Sequence, residues 1–242
     1  MFEHLKPQYV TIDRALDSSY MRSGIPWDNG RNTRNGLSRK RHYSFEGVAY
    51  PSVTGILSAT KPERDRQALH NWRRRVGYQK AQQITTTAAR RGTSVHSAIK
   101  YYLQQQPVPE DIEDNPFWHS IQPVLAQIDR VHLVESAIYH SKEGYAGCYD
   151  CLGEWQGELC VFDWKTASKP KKQEWIVDYC LQVAAYISAI NYFYRVNIQQ
   201  GIVAIALDSQ PAQLFVLEED DLACYQRQFL NRLRLYSIRQ YS

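Results

Sequence analysis

Four residues in the middle of the chain have the types and spacing for chemistry: Glu135, Asp150, Asp163 and Lys165. Asp163 and Lys165 are two apart within Glu158-Leu-Cys-Val-Phe-Asp-Trp-Lys, an apolar, strand-like stretch. On a strand, alternate side chains share a face, so this carboxylate and this ammonium point the same way and Trp164 points the other. Asp150 lies on the preceding strand-like stretch, and Glu135 on the one before that. Carboxylates on neighbouring strands are hard oxygen ligands suited to Mg²⁺ or Mn²⁺. A lysine beside them can orient or deprotonate water, so the group is a metal-ion hydrolase site in outline.

The elements that must position these residues follow from pattern. Strands are predicted over 131–139, 145–153 and 157–165, the last two joined near Glu154 to Gln156 as an antiparallel pair that brings Asp150 and Asp163 to a common point. Simple alternation puts Glu135 on a face with Leu133 and Ala137, where a lone carboxylate is costly unless paired or bound to metal. A helix is predicted over 177–194, with Gln182 and Tyr186 at i and i+4 on one face. Strands over 202–207 and 213–217 and a helix from Glu219 to about Tyr236 complete this half. Upstream, 42–50 reads as a hairpin turning at Glu46-Gly47, and Ser52 caps a short helix to Ala59. A helix over 63–76 carries Leu69, Trp72 and Val76 on one side. A second is expected from Tyr78 to Arg91, broken or kinked at Gly92, and a third to Gln104 with His96 in its first turns. A helix over 116–128 follows an acidic, proline-bearing loop.

These residues carry a resemblance. Asp150, twelve intervening residues and then Asp163-Trp164-Lys165-Thr166 are similar to the PD-(D/E)xK nuclease superfamily. Gln182 and Tyr186 match the Q-x-x-x-Y of its RecB-like branch, and Gly92-Thr93-Ser94-Val95-His96 matches that branch's G-x-x-x-H. Tyr50-Pro51-Ser52-Val53-Thr54-Gly55-Ile56-Leu57 resembles the opening of the mitochondrial genome maintenance exonuclease group. The elements occur in the family's order; the Pro usual before the first Asp is replaced by Tyr149.

The resemblance implies an α/β fold, a central mixed β-sheet flanked by helices with the basic helical region as a wall or arch. It implies a divalent ion, Mg²⁺ or Mn²⁺, on Asp150, Asp163 and the backbone carbonyl of Trp164, with Glu135 and His96 completing this site or a second one. Lys165 then positions the attacking water, and Gln182 and Tyr186 hold Lys165 or a phosphate. The expected activity is exonucleolytic hydrolysis of single-stranded DNA with a free end, in DNA repair, recombination or replication. A double-strand-specific or endonucleolytic enzyme of the same superfamily and an inactive nucleic-acid-binding module are the alternatives. Some RecB-like relatives hold an iron–sulfur cluster on four cysteines, one far upstream. Here none precedes Cys148, and only Cys224 follows Tyr186, so no cluster is expected despite the C-x-x-C of Cys148 and Cys151.

Charge agrees with a polyanionic substrate. The chain of 242 residues has a net charge of +4, but residues 61–91 hold nine basic residues against Glu63 and Asp65, a net +7, and residues 22–41 hold six against Asp28, a net +5. Residues 1–41 are expected to form a basic arm and residues 42–242 one nuclease domain, with a hairpin and arch-like region to 106. Candidate DNA contacts are Ser52 and Thr54, which either hold a phosphate or simply cap their helix, and Arg73, Arg74, Arg75, Arg90 and Arg91. Trp27, Trp72, Tyr43, Tyr50 and Tyr78 either stack bases or pack in the core. No nucleotide-binding G-x-x-x-x-G-K-[ST] occurs, so a helicase, or a single-strand-binding protein, would be a separate partner of a monomeric enzyme. No apolar segment after Met1 predicts a secretory signal, and no apolar run is long enough to span a membrane. Five irregularly spaced cysteines fit a reducing, intracellular compartment, taken as the cytoplasm.

Overall fold

The computed structural model describes residues 8–9, 42–45 and 47–241. The stretch 22–41, Trp27 and the turn residue Glu46 lie outside the described residues. The chain order is β1 (Gln8–Tyr9), β2 (His42–Phe45), β3 (Val48–Pro51), α1 (Val53–Ala59), α2 (Glu63–Val76), α3 (Tyr78–Leu103), α4 (Pro116–Leu125), β4 (Arg130–His140), β5 (Tyr145–Trp155) and β6 (Glu158–Ala167). Then come α5 (Val177–Tyr194), β7 (Gln200–Leu207), β8 (Gln210–Leu217) and α6 (Glu219–Tyr241). Two short 3₁₀ turns sit at Glu110–Ile112 and Gln173–Trp175.

The main sheet runs β1-β4-β5-β6-β7-β8, and β2 pairs with β3 in a separate hairpin. Strands β4, β5 and β6 are antiparallel neighbours, β6 and β7 are parallel, and β7 and β8 antiparallel. A parallel pair needs a crossover, and α5 supplies it. The β5–β6 turn is tight because Gln156 and Gly157 both take positive φ, 54° and 83°, as a two-residue hairpin loop of the I′ kind requires.

The sheet divides two apolar clusters. Val161 and Val203 face α1, α5 and α6, among them Leu57, Leu181, Ile187 and Phe229. Phe162, Trp164, Ile202 and Ala204 face the end of α3 and α4, among them Ile99, Trp118 and Ile121. β6 is therefore covered on both faces, and every residue from Cys160 to Trp164 is buried. This explains its near-continuous apolar run.

Two expectations are corrected here. α3 is one continuous helix through Gly92, since a helix interior tolerates glycine at a modest cost and no competing cap is present. His96 thus sits far along a long helix rather than in its first turns. α2 has the expected bounds and fully buries none of its residues: Trp72 and Val76 are half-buried and Leu69 is exposed. The predicted helix over 116–128 stops at Leu125, two residues beyond the internal Pro123.

The third layer is locked by one buried cation. Arg232 of α6 donates to the Leu57 carbonyl at 2.5 Å, to Thr60 Oγ1 at 2.6 Å and to Asp178 at 3.1 Å, while Arg239 reaches the Ala59 carbonyl at 2.6 Å. Together they satisfy two of the C-terminal carbonyls of α1, those of Leu57 and Ala59. Arg232→Ala should lower unfolding free energy by ~2 kcal/mol in urea titration, because it strands the buried Leu57 carbonyl and leaves the half-buried Asp178 to Lys61 alone. A loss within ~0.5 kcal/mol would show that the contact is incidental.

Candidate active site

β6 carries Asp163 and Lys165 on the α5 side, as alternation requires, and Trp164 on the other. Asp163 is 1% exposed, and Lys165 Nζ lies 2.5 Å from its Oδ2. Lys165 is the ion-pair partner of Asp163 Oδ2, and among the described residues no other group hydrogen-bonds either oxygen. Burial pushes the Asp163 carboxyl upward, Lys165 opposes the shift, and Asp150 adds to it. Burial alone would lower the Lys165 ammonium, but Asp163 and Asp150 outweigh it and raise it, so the lysine is charged. Its ammonium also sits 5.1 Å from the centre of the Tyr179 ring.

Asp150 reaches the same place from β5. Its Oδ2 accepts from the Trp164 N–H at 2.8 Å, which ties β5 to the peptide that joins Asp163 to Trp164. His96, from α3, donates through Nε2 to the Trp164 carbonyl at 2.8 Å and turns Nδ1 toward Asp150 Oδ1 at 3.7 Å. The G-x-x-x-H and D-x-K elements therefore meet at Trp164.

Glu135 does not follow simple alternation. Its φ is +47°, a left-handed backbone inside a strand. Val134 pairs with Cys151 and Ser136 with Tyr149, leaving Glu135 and Asp150 opposite each other between the two pairs. The inversion is shared: Tyr149 packs on the α5 side and Cys151 on the opposite side, although they are two apart. Both acidic residues thus occupy one kink in the β4–β5 ladder. The expectation that Glu135 shares a face with Leu133 and Ala137 is overturned by that kink. Its carboxylate pairs with Lys100 Nζ at 2.7 Å. A cavity of about 640 Å³ is lined by Glu135, Asp150, Lys165, His96, Gln182 and Tyr186, with Tyr43, Thr54, Lys100 and Cys148.

Gln182 and Tyr186 stand one turn apart and touch at 3.4 Å, Nε2 to phenol oxygen. Tyr186 packs flat against Gly147: a Cβ on that glycine would fall 2.5 Å from its Cε1. The ring against Lys165 is that of Tyr179, which the sequence reading missed. Its spacing, three before Gln182 on the same helical face, was the available signal.

The candidate DNA contacts divide. Thr54 is exposed and lines the cavity. Ser52 is buried and its hydroxyl accepts from the Gly55 N–H at 3.0 Å, so its role is the plain cap and no phosphate can reach it. Arg73, Arg74, Arg75 and Arg90 are exposed. Arg91 is engaged, donating to Thr166 and Ser168 at 3.2 Å each with its guanidinium 4.4 Å from the Phe117 ring. Tyr50 packs against Phe45 and Tyr139, whereas Tyr78 is 62% exposed. None of the five cysteines is in a disulfide; Cys148 lines the cavity and Cys151 lies in the core on the other side of the sheet.

Among the described residues, no group of three or more His, Cys, Asp or Glu side chains is arranged to hold a metal ion unaided. The oxygen donors nonetheless fit a hard cation. Two carboxylates and a backbone carbonyl converge, and the buried Asp163 carboxylate has no partner beyond Lys165 to fill its remaining acceptor positions. Glu135, held by Lys100, and His96, holding the Trp164 carbonyl, are neighbours of that donor set.

Known proteins were compared with the chain. No protein-family model matches it. It is 34% identical over 201 residues to mitochondrial genome maintenance exonuclease 1 of Mus musculus, covering 78% of this chain and 60% of the relative. It is 31% identical over 199 residues to the protein of that name in Homo sapiens, covering 77% of this chain and 58% of the relative. The chain thus spans about three fifths of the length of these curated relatives. The crystal structure of SSO0001 superposes with a TM-score of 0.36 at 14% identity over 69% of this chain and 70% of that one, too slight a likeness to carry an argument. No helix among the described residues is long and apolar enough to cross a membrane.

Gly147→Ala should displace Tyr186 and reduce stability by about 1–3 kcal/mol in thermal or urea unfolding, as overpacking does. Gly147→Ala with Tyr186→Leu should recover most of that loss. Full additivity of the two losses would show that the ring and the glycine are not in contact.

Proposed function

Because this chain is a homologue of the mitochondrial genome maintenance exonucleases and its site is of the PD-(D/E)xK type, we propose that it is a divalent-metal-dependent exonuclease on single-stranded DNA with a free end. The observation that carries the proposal is the buried Asp163, with no partner for its oxygens but Lys165, set beside Asp150. A buried carboxylate left in that state is a liability for stability and an asset for binding a cation.

Asp150, Asp163 and the Trp164 carbonyl are the residues that would hold Mg²⁺ or Mn²⁺, with Glu135 and His96 alongside. Bound there, such an ion supplies charge neutralisation at the scissile phosphate and acidifies water. The chain's own groups do the rest. Asp150 fixes the Asp163–Trp164 peptide by accepting its N–H and His96 fixes the Trp164–Lys165 peptide at its carbonyl, so the Asp163 and Lys165 side chains keep one relative position. Lys165, kept protonated by the two carboxylates, donates to the attacking water or to a phosphate oxygen. It can accept a proton only once the charges of Asp163 and Asp150 are neutralised. Tyr179 bounds the ammonium on its far side. Gln182 and Tyr186 line the cavity and hold its α5 wall against β5 at Gly147.

A single strand is favoured by the exposed cations and Tyr78 on α2 and α3, helices whose outward turns leave a basic, partly aromatic surface upstream of the site. We place the enzyme as a monomer in repair, recombination or replication, with any strand opening done by a separate helicase and the opened strand shared with a single-strand-binding protein.

End-labelled linear and circular single strands and a linear duplex, each with Mg²⁺ or EDTA, test this together. Rapid loss of the linear single strand in Mg²⁺, none in EDTA and little cutting of the circle are expected. Asp163→Ala and Lys165→Ala should each lower turnover by at least ~10²-fold. Circular and linear strands cut at equal rates would overturn the free-end requirement, and wild-type turnover in either variant would overturn the site.

A further inference from the structure

Lys100 has no part in the motifs, yet it stands at the mouth of the cavity. It lies four residues after His96 on α3 and so faces the same way. Its ammonium is 2.7 Å from Glu135 Oε2, with the two side chains 41% and 36% exposed. The same pair, with His96, also lines a second cavity of about 590 Å³, walled by Gly92, Thr93 and Ser97 on one stretch of α3 and by Tyr101, Gln104 and Gln106 beyond Lys100. The Lys100–Glu135 ion pair therefore divides the catalytic cavity from a groove that continues along α3.

Three physical points single it out. The other lysine in the catalytic cavity, Lys165, is already committed to Asp163. Glu135 is delivered to Lys100 by a left-handed backbone inside a strand, a conformation that costs of order 1 kcal/mol or more and persists only where its surroundings enforce it. An ion pair this exposed is worth only about 0–1 kcal/mol, so exchanging its carboxylate for another anion is nearly free.

We infer that Lys100 binds a backbone phosphate of the strand at the junction of the two cavities, and that Glu135 holds it in reserve when no strand is present. A phosphodiester entering from the groove takes the ammonium, and Glu135 is released beside Asp150, with which it shares the β4–β5 kink. The ligand class is a nucleic-acid phosphate, so the inference rests on the nuclease reading above.

Binding without chemistry separates the two. A fluorescent linear oligothymidylate is titrated in EDTA against wild type, Lys100→Gln, Glu135→Gln and the double variant, at several salt concentrations. Lys100→Gln should weaken binding several-fold and lower the log–log salt slope by about 0.7, the share of one phosphate contact on a single strand. Glu135→Gln should tighten binding, because it frees the ammonium. The double variant should bind like Lys100→Gln, since the gain from Glu135→Gln acts through Lys100. An equal gain from Glu135→Gln in both backgrounds would reduce it to relief of general repulsion and overturn the inference. So would a Lys100→Gln protein with unchanged affinity and slope, while wild type still binds and cuts. A wild type that neither binds nor cuts any strand overturns the nuclease reading, and this inference with it.

Discussion

One buried carboxylate sets the terms for the rest of the structure. Asp163 sits in a strand covered on both faces, where an unpaired charge would cost several kcal/mol. Its compensation comes from three elements. Lys165 approaches from the same strand, the peptide of Trp164 is tied down by Asp150 from β5, and His96 arrives from α3 to hold the Trp164 carbonyl. Of these, Lys165 alone reaches the Asp163 oxygens, so the site is held in its frame while the carboxylate keeps unused acceptor positions.

The frame is held by close approaches that tolerate no excess volume. Gly147 admits the Tyr186 ring, and Gly201 admits Val183 and Ile187, where a Cβ would lie 2.5 Å from Val183 Cγ1. Both contacts press α5 onto the sheet, one at β5 and one at β7. α5 brings Tyr179, Gln182 and Tyr186 to the cavity along one face, so its seating against the sheet sets the position of the Lys165 wall. Arg232, by closing the end of α1 and taking Asp178 one residue before Tyr179, fixes the start of that same helix.

Much of this was legible in the sequence because the signals were local. Alternation placed Asp163 and Lys165 together with Trp164 opposed, and helical spacing joined Gln182 to Tyr186; the bounds of α5 and the start of α6 fell where pattern put them. The misses share a cause: each depended on a tertiary neighbour. Gly92 reads as a break because glycine weakens helices, but α3 continues through it to pack its last turns on the sheet beside α4. Glu135 reads as one more alternating strand position, and no periodicity reveals that the ladder inverts there together with Asp150. The Lys100 partnership crosses from a helix to a strand thirty-five residues on, a distance that spacing rules do not address. The bonds of Arg91 to Thr166 and Ser168 are likewise contacts that only packing discloses.

The basic region shows how far composition alone can be carried. Its net charge was plain in the sequence, but charge does not say where the cations stand. α2 buries no side chain and exposes Arg73, Arg74 and Arg75, and Leu69 is 40% exposed beside them. A helix so poorly buried gains little from packing, and an isolated helix of its length is marginal in water. Its ion pairs, Arg66 with Glu63 and Arg64 with Asp65, are exposed and contribute little. Lys100 and Glu135 stand in a different condition, a cation paired across from a helix to a strand beside the site. The two cationic elements upstream of the carboxylates therefore differ in kind. One is a run of exposed arginines on a lightly packed helix, and the other is a single charge at a set position.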